Sequence, residues 1–201
     1  MVSKKKLNIS SSELNTIKPI TENQKEVFAS YEKGQNLFLY GVAGTGKTFV
    51  ALYNALKDVL DPKSPRERVY IVRSLLPTRD IGFLPGDEED KSYLYQVPYQ
   101  NMVRFMFQRG SDAEFDRLYT DLRNQGTIDF LSTSFLRGIT IDNGVIIVDE
   151  CQNLNFHELD TIMTRVGQNT RIVFAGDIQQ TDLTKTNDRN GILDFVNIMQ
   201  Q

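Results

Sequence analysis

The sequence predicts an α/β fold, with a mostly parallel sheet that is covered by helices on both faces. Short, continuous apolar runs recur along the chain and are separated by segments with the apolar spacing of helices. Strands that are apolar throughout, rather than alternating, are typical of parallel sheets that are buried on both sides. A glycine-rich segment also follows one of these runs directly, at a junction between a predicted strand and a predicted helix. Together these observations indicate strands joined by crossover helices.

Each element is assigned from its own pattern of apolar residues. The runs predicted to form strands are Leu37–Tyr40, Val69–Val72, Thr127–Leu131, Val145–Val148 and Arg171–Ala175. Helical spacing is found over Thr48–Leu60, in the set Phe115, Leu118, Tyr119 and Leu122, and in the set Leu159, Ile162, Met163 and Val166.

The chain of 201 residues is long enough for one domain with a sizeable core. Residues 1–18 are polar and carry three adjacent lysines, so we expect a flexible basic arm there. Residues 19–201 are expected to form a single domain, with an insertion around 77–125 against the edge of the sheet. Within it, residues 77–110 combine prolines, an acidic run and an aromatic stretch, and are expected to be irregular. Phe105–Phe107 is expected to pack in the core rather than to stack on bases, because base stacking normally uses exposed aromatic rings on a positive surface.

The composition excludes several classes of protein. The net charge is -3 and the pI about 5.3, so any nucleic-acid site must be a local basic patch. One cysteine excludes an internal disulfide and favours a reducing, cytoplasmic setting. Cys151 and the single histidine, His157, provide no ligand set for zinc, and we expect His157 to be exposed in the first turn of a helix capped by Asn155. The apolar runs are too short to cross a bilayer.

The strongest signal is the segment GVAGTGKT, Gly41–Thr48. It fits the pattern GxxxxGK[ST] in the strand–loop–helix setting in which this pattern binds phosphate, and therefore predicts a RecA-like P-loop NTPase. Glycines let backbone N–H groups turn towards phosphate oxygens, and the helix N-terminus favours negative charge. Lys47 is expected to reach the β- and γ-phosphates of ATP, and Thr48 to bind Mg²⁺. The predicted nucleotide-binding residues of this loop are Gly41, Val42, Ala43, Gly44, Thr45, Gly46, Lys47, Thr48 and Phe49.

Two carboxylates follow the apolar run Val145–Val148. The carboxyl ends of strands are where open α/β sheets bind their ligands. Asp149 is expected to hold Mg²⁺. Glu150 is expected to act as the general base that orients and deprotonates an attacking water. Because a base beside the metal aspartate favours hydrolysis over transfer to a second substrate, the sequence predicts an ATP hydrolase.

A third polar cluster, GDIQQ, follows the run Arg171–Ala175. It fits the GDxxQ motif of superfamily 1 helicases. By that resemblance Gln180 senses the γ-phosphate and the attacking water, and Asp177 ties this loop to the metal site. A glutamine amide can donate to phosphate and accept from water at the same time.

Gln24 has two interpretations. In superfamily 1 enzymes a glutamine at such a place reads the adenine edge, and we favour this role. The segment Thr21–Gln24 also fits a capping box, in which the Gln24 side chain would return to the start of the helix.

Four segments together resemble the PhoH family, single-domain ATPases related to superfamily 1 helicases. They are IGFLPGDEEDK (Ile81–Lys91), FLRGITIDNGVIIVDECQN (Phe135–Asn153), TRVG (Thr164–Gly167) and GDIQQTDL (Gly176–Leu183). The resemblance runs from about Pro19 to Ile198 and implies ATP hydrolysis coupled to RNA binding or unwinding, with single-stranded RNA as the partner. Two positions depart from the family pattern: Ile139 stands where an arginine is usual, and Cys151 where alanine is usual. The compact length resembles phage-borne members, which would act in the host cytoplasm.

Related helicases take a charge-stabilising arginine from a second motor domain, whereas this chain has room for one domain. Either a neighbouring subunit supplies the arginine or hydrolysis is slow, and we expect the first, in a hexameric ring with ATP and Mg²⁺ at each site. Arg73, Arg137 and Arg165 are the candidates, because each matches a family arginine. The alternative function is an ATP-dependent switch that binds a protein partner without moving along nucleic acid.

Overall fold

The computed structural model describes the backbone of residues 9–73, 88–133, 135–177 and 186–199, and their side chains except those of 88–94, 186–190 and 199. The elements in chain order are α1 (Glu22–Glu32), β1 (Leu37–Tyr40), α2 (Lys47–Val59), β2 (Arg68–Arg73), α3 (Glu88–Phe107), α4 (Asp112–Asn124), β3 (Ile128–Leu131), β4 (Gly144–Asp149), α5 (Phe156–Met163), β5 (Arg171–Gly176) and α6 (Thr186–Met199). Single 3₁₀ turns occur at Ser11–Glu13 and Cys151–Asn153.

The strands form one sheet in the order β1-β5-β4-β2-β3, and every pairing is parallel. This confirms the predicted α/β fold and all five predicted strands. Because the strands are parallel, their carboxyl ends lie at one edge of the sheet, here called the carboxyl edge. β5 lies between β1, which leads into the phosphate loop, and β4, which ends at Asp149. The order therefore brings the three polar segments predicted from sequence to adjacent strand ends.

Helices cover both faces of the sheet, because successive strand residues point to opposite sides. Val145 and Ile147 of β4 pack with residues of α2, α3 and α4 in one apolar cluster. Ile146 and Val148 pack with residues of α5 and α6 in a second cluster. The strands are thus buried on both sides, which explains why they are apolar throughout instead of alternating.

The segment expected to be irregular contains a 20-residue helix, α3. Pro98 lies inside it and cannot donate a helical hydrogen bond, which is why the sequence favoured irregular structure. Packing outweighs that cost: Tyr99, Val103, Met106 and Phe107 form one buried stripe at helical spacing. The stripe lies in the cluster on the sheet face, so this region covers a face and not only the edge. Met106 and Phe107 confirm the expected core packing, whereas Phe105 is exposed.

The expectation of a loose arm over residues 1–18 does not hold for residues 9–18. Ile9 is buried in the core cluster, with Leu14 and Ile17 packed against it. The Asn15 backbone N–H donates to Met106 O at 2.7 Å, and Tyr53 Oη donates to Asn15 O. Residues 1–8, including the three lysines, lie outside the described residues.

A half-buried ionic cluster holds the opposite, amino edge of the sheet together. Asp58, near the end of α2, accepts from Arg66 Nε at 2.6 Å, from Ser64 Oγ at 2.6 Å and from Tyr31 Oη at 3.1 Å. The Arg171 guanidinium lies 3.6 Å from the same carboxylate. Burial raises the pKa of Asp58, but the hydrogen bonds from Arg66 and Ser64 and the two arginine charges outweigh it and hold the pKa below its usual value.

Candidate functional site

The phosphate loop has the backbone that its glycines permit. Gly44 and Gly46 adopt φ values of 79° and 81°, in the left-handed region that other residues avoid. Gly46 is the N-cap of α2, so the free N–H groups of the first helical turn face the loop. Lys47 Nζ donates to the carbonyls of Gly41 (2.7 Å) and Val42 (2.8 Å). The ammonium group therefore lies within the loop, on acceptors that phosphate oxygens can replace.

The two predicted metal ligands lie in direct contact. Thr48 Oγ1 donates to Asp149 Oδ1 at 2.7 Å, which joins the start of α2 to the end of β4. The other carboxylate oxygen, Oδ2, accepts from Tyr99 Oη at 2.6 Å. Asp149 and Tyr99 are both buried. Burial, and then the Asp149 charge, raise the pKa of Tyr99, so its hydroxyl stays protonated and donates.

This donor set fits Mg²⁺. A hydroxyl and a carboxylate are hard oxygen ligands, and Mg²⁺ commonly takes one or two protein ligands together with phosphate oxygens and water. Because the Thr48 proton points at Asp149, the lone pairs of its oxygen stay available to a metal ion. Among the described residues, no three or more His, Cys, Asp or Glu side chains form a cluster that could hold a metal ion.

Glu150 has a strained backbone with a defined side-chain partner. Its φ of 51° and ψ of 41° lie in the left-handed region, which is sparsely populated by residues other than glycine and is enriched at functional sites. Gln152 Nε2 donates to Glu150 Oε2 at 2.6 Å. The Asp177 backbone N–H donates to Gln152 Oε1 at 3.0 Å. One glutamine amide thus connects the general base predicted from sequence to the loop that follows β5.

Gly176, the last residue of β5, allows the loop after β5 to approach the segment after β4 closely. A β-carbon added at this position would lie 2.5 Å from Gln152 Oε1 and 2.7 Å from Cys151 Sγ. Only glycine therefore allows the two loops to approach closely enough for the Gln152 bridge. Cys151 is fully buried, as expected for the substitution of a small residue, and burial raises the pKa of its thiol to about 12. Gln180, the predicted γ-phosphate sensor, lies outside the described residues.

Gln24 contacts both the start of α1 and the phosphate loop. Its backbone N–H donates to Thr21 Oγ1 at 3.2 Å, which is one half of the capping box. The other half is not formed, because Gln24 Oε1 accepts from Ile20 N at 2.9 Å instead of from Thr21 N. Gln24 Nε2 lies 3.5 Å from Thr45 O. The amide is therefore beside the phosphate loop.

Phe49 and Phe105 extend the apolar surface beside the loop. Their ring centroids are 5.8 Å apart in an edge-to-face arrangement. Phe105 remains 66% exposed.

Helix α5 follows the two carboxylates and begins as predicted. Asn155 caps it in a capping box with Glu158, and His157 is exposed in its first turn.

The candidate arginines lie at different places in the fold. Arg73 ends β2 and lies beside Asp149 in the sheet register, at the carboxyl edge. Arg165 follows α5, and the bridge between Ile141 and Val166 precedes β4 and β5, which places Arg165 at the amino edge of the sheet. Arg165 Nη1 lies 3.4 Å from Ile139 O, and Arg137 is exposed in the segment just before. In the part of the chain that the structure describes, neither arginine has an acidic partner. At the amino edge, Arg165 is not placed to reach the phosphate loop of its own chain.

Sequence reasoning missed Tyr99 and Gln152. Tyr99 belongs to a helix that the sequence did not predict, although the spacing from Tyr99 to Phe107 was a usable helical signal. Gln152 lies two positions after Glu150, within the segment Phe135–Asn153 that carries the family resemblance, and the sequence assigns it no separate role. Its role depends on the contact with Asp177, which only the three-dimensional structure provides.

Comparison with known proteins identifies one family. The family model described as PhoH-like protein matches residues 16–201. Protein PhoH2 of Bacillus subtilis (strain 168) is 35% identical over 159 residues, covering 79% of this chain and 35% of that protein. Protein PhoH of Escherichia coli (strain K12) is 31% identical over 165 residues, covering 82% of this chain and 45% of that protein. The chain thus spans less than half the length of these two curated relatives.

Solved structures are more distant. The Sulfolobus solfataricus SWI2/SNF2 ATPase core in complex with dsDNA is 14% identical, with a TM-score of 0.49 over 89% of this chain and 36% of that chain. Unliganded Pif1 from Bacteroides sp. is 17% identical, with a TM-score of 0.42 over 89% of this chain and 36% of that chain. The fold of this chain follows from its own strand order.

Proposed function

This chain belongs to the PhoH-like family, and from that premise we propose that it binds ATP with Mg²⁺ and hydrolyses the γ-phosphate. The observation that carries the proposal is the contact between Thr48 Oγ1 and Asp149 Oδ1, next to Lys47 in its loop. A hydroxyl from the phosphate loop and a carboxylate from a neighbouring strand form the metal site expected of a P-loop NTPase. Nothing in a purely structural α/β domain requires these three side chains to converge.

Each side chain has a distinct task in the proposed reaction. Lys47 Nζ leaves the Gly41 and Val42 carbonyls and binds the β- and γ-phosphates, while the loop N–H groups hold the remaining phosphate oxygens. Bound Mg²⁺ would neutralise phosphate charge, with Thr48 and Asp149 as its protein ligands. Glu150 accepts the proton of the attacking water, as a general base. Gln152 fixes the Glu150 carboxylate, so the base is oriented before the substrate arrives.

Coupling to single-stranded RNA is the finer part of the proposal and is supported by family membership. The chain is acidic overall, so RNA would have to bind a local surface. Phe135, 72% exposed, and Arg137 lie two positions apart on one exposed segment. An exposed aromatic ring beside a positive charge is the combination that binds single-stranded bases and phosphates.

A ring of copies, which we propose to be hexameric, is supported by the position of Arg165. Arg165 lies at the amino edge, remote from the phosphate loop of its own chain, so a role for it in charge stabilisation requires a neighbouring copy. Arg73 instead ends β2 beside Asp149 and could act within its own chain. Head-to-tail contacts that close on themselves give every site such a neighbour.

In the described part of the chain no helix could span a membrane. We propose a cytoplasmic location on the basis of the single, buried cysteine.

The test of the proposed function is phosphate release from ATP in Mg²⁺, measured with and without single-stranded RNA. We expect measurable hydrolysis in wild-type protein, loss of hydrolysis in Lys47→Ala, and stimulation by RNA. No hydrolysis under any condition would contradict the ATPase proposal. Hydrolysis that RNA leaves unchanged would contradict the RNA proposal and favour the alternative, a nucleotide-dependent switch that binds a protein partner.

A further inference from the structure

Tyr99 of helix α3 contacts the proposed metal site. The Tyr99 hydroxyl donates to Asp149 Oδ2 at 2.6 Å, while Thr48 donates to Oδ1 of the same carboxylate at 2.7 Å. The two donors come from different helices and hold one oxygen each. A carboxylate held on both oxygens cannot rotate about its Cβ–Cγ bond without breaking a charge-assisted hydrogen bond.

The surroundings of Tyr99 fix its own position. The side chain is 2% exposed, and its ring packs edge-on against Phe130 of β3, with centroids 5.4 Å apart. One turn earlier on α3, the Tyr95 ring lies beneath the Arg73 guanidinium, 5.9 Å from ring centroid to carbon. Arg73 is the β2 residue that lies beside Asp149 in the sheet register. Two contacts on successive turns therefore attach α3 to the carboxyl edge.

We propose that Tyr99 is a positioning residue for the metal site, which holds the Asp149 carboxylate with Oδ1 towards Thr48 and thereby couples metal binding to helix α3. The proposal rests on the proposed function, since it assumes that Thr48 and Asp149 hold Mg²⁺. Hydrogen-bond partners of metal ligands orient those ligands, and their loss typically lowers metal affinity about 10- to 100-fold. Tyr99 makes no contact of its own with phosphate or metal in this account.

The chain offers a matched control at its opposite edge. Tyr31 is 4% exposed and donates to Asp58 Oδ2 at 3.1 Å, so it is also a buried tyrosine that donates to an aspartate, although Asp58 is half-buried. Tyr31→Phe and Tyr99→Phe delete the same atom from the same kind of bond. A difference between the two variants in Mg²⁺ dependence therefore reports on the metal site and not on general stability.

The experiment measures binding of the fluorescent analogue mant-ADP, first in EDTA and then at increasing Mg²⁺. In Tyr99→Phe, we expect unchanged affinity in EDTA and an increase of about tenfold in the Mg²⁺ concentration that gives half of the metal-dependent change. Tyr31→Phe should match wild type in both. The proposal is overturned if Tyr99→Phe has the wild-type Mg²⁺ dependence, or if its affinity falls equally with and without Mg²⁺.

Hydrogen exchange of the wild-type protein tests the same coupling should Tyr99→Phe fail to fold. Adding Mg²⁺ to the mant-ADP complex should slow amide exchange in α3 around Tyr99, because opening that turn would break the Tyr99–Asp149 bond that the bound metal stabilises. Unchanged exchange in α3 would contradict the coupling. Failure of the proposed function looks different: wild-type protein would then bind no mant-ADP, or bind it without any response to Mg²⁺.

Discussion

The Thr48 hydroxyl and the Asp149 carboxylate lie 2.7 Å apart although 101 positions separate them in the chain. The parallel sheet produces this contact, because β5 alone separates the strand before the phosphate loop from the strand that ends at Asp149. Glu150, Gln152 and Asp177 continue the same row of strand ends. The site is therefore a property of the strand order.

Gln152→Leu tests the bridge between the base and the β5 loop. Leucine has a similar volume but cannot donate to Glu150 or accept from the Asp177 N–H. We expect kcat for ATP to fall by roughly 10²-fold with little change in KM, since a misplaced base loses rate without losing substrate. Gln168→Leu, an exposed glutamine at the amino edge, is the control. A wild-type kcat in Gln152→Leu would show that Glu150 needs no such support.

Gln24→Ala tests whether Gln24 recognises adenine or only stabilises the start of α1, because the first role alone distinguishes ATP from GTP. If the amide reads adenine, KM for ATP should rise about five- to tenfold, equivalent to about 1 kcal/mol for a lost hydrogen bond, while KM for GTP stays unchanged. Kinetics with both nucleotides and a thermal melt measure the outcome, with the exposed Gln35→Ala as control. Equal loss for both nucleotides together with a lower Tm would instead assign Gln24 to the start of α1, through its bond to Ile20 N.

The strands and the backbone of the loop Gly41–Thr48 could be predicted from sequence because their signals are local. The apolar runs require burial on both faces, and the glycines of the phosphate loop require left-handed backbone angles. The sequence predicts that Lys47, Thr48, Asp149 and Glu150 are neighbours, because they lie at the ends of strands. These signals can be read from the sequence because each belongs to a single strand–loop segment.

The connections between segments could not be predicted in the same way. Pro98 argues locally against a helix, and only burial of Tyr99, Val103 and Met106 against the sheet explains why α3 forms there. Ile9 looks like part of a polar arm until its burial in the core is known. The Tyr99 and Gln152 contacts depend on how α3 and the β5 loop meet β4, which is information that no single segment carries.

Acid stability should report on the Asp58 cluster. Because the pKa of Asp58 is lowered in the folded chain, its ionic bonds stabilise the fold above the unfolded value of about 3.9 and are lost as pH falls through the folded value. Asp58→Asn should lower the free energy of unfolding at pH 7 by about 2 kcal/mol, because Arg66 and Arg171 lose the charge of their half-buried partner. Urea unfolding at pH 7 and pH 3 measures this.

The difference between wild type and Asp58→Asn should shrink as the pH falls from 7 to 3. The exposed Asp121→Asn serves as the control and should follow wild type throughout. A gap of the same size at both pH values would mean that the carboxylate charge of Asp58 contributes nothing to folding.

Mixing of two inactive variants tests the ring. Arg137→Ala or Arg165→Ala removes a candidate arginine, and Lys47→Ala removes nucleotide binding while keeping both arginines. If a neighbouring copy supplies the arginine, adding Lys47→Ala protein should restore ATPase activity to the arginine variant. Such an arginine is worth about 10³–10⁵ in rate when supplied from a neighbour. A monomer by light scattering, with ATPase activity independent of protein concentration, would contradict the ring.

The central claim is that Glu150 activates water for attack on ATP held by Lys47, and one comparison tests it most directly. ATP binding and phosphate release are measured for wild type and for Glu150→Gln at saturating Mg²⁺. We expect Glu150→Gln to bind ATP as wild type does and to release phosphate roughly 10²-fold more slowly or worse, as for loss of a general base. Phosphate release at the wild-type rate by Glu150→Gln would contradict the account.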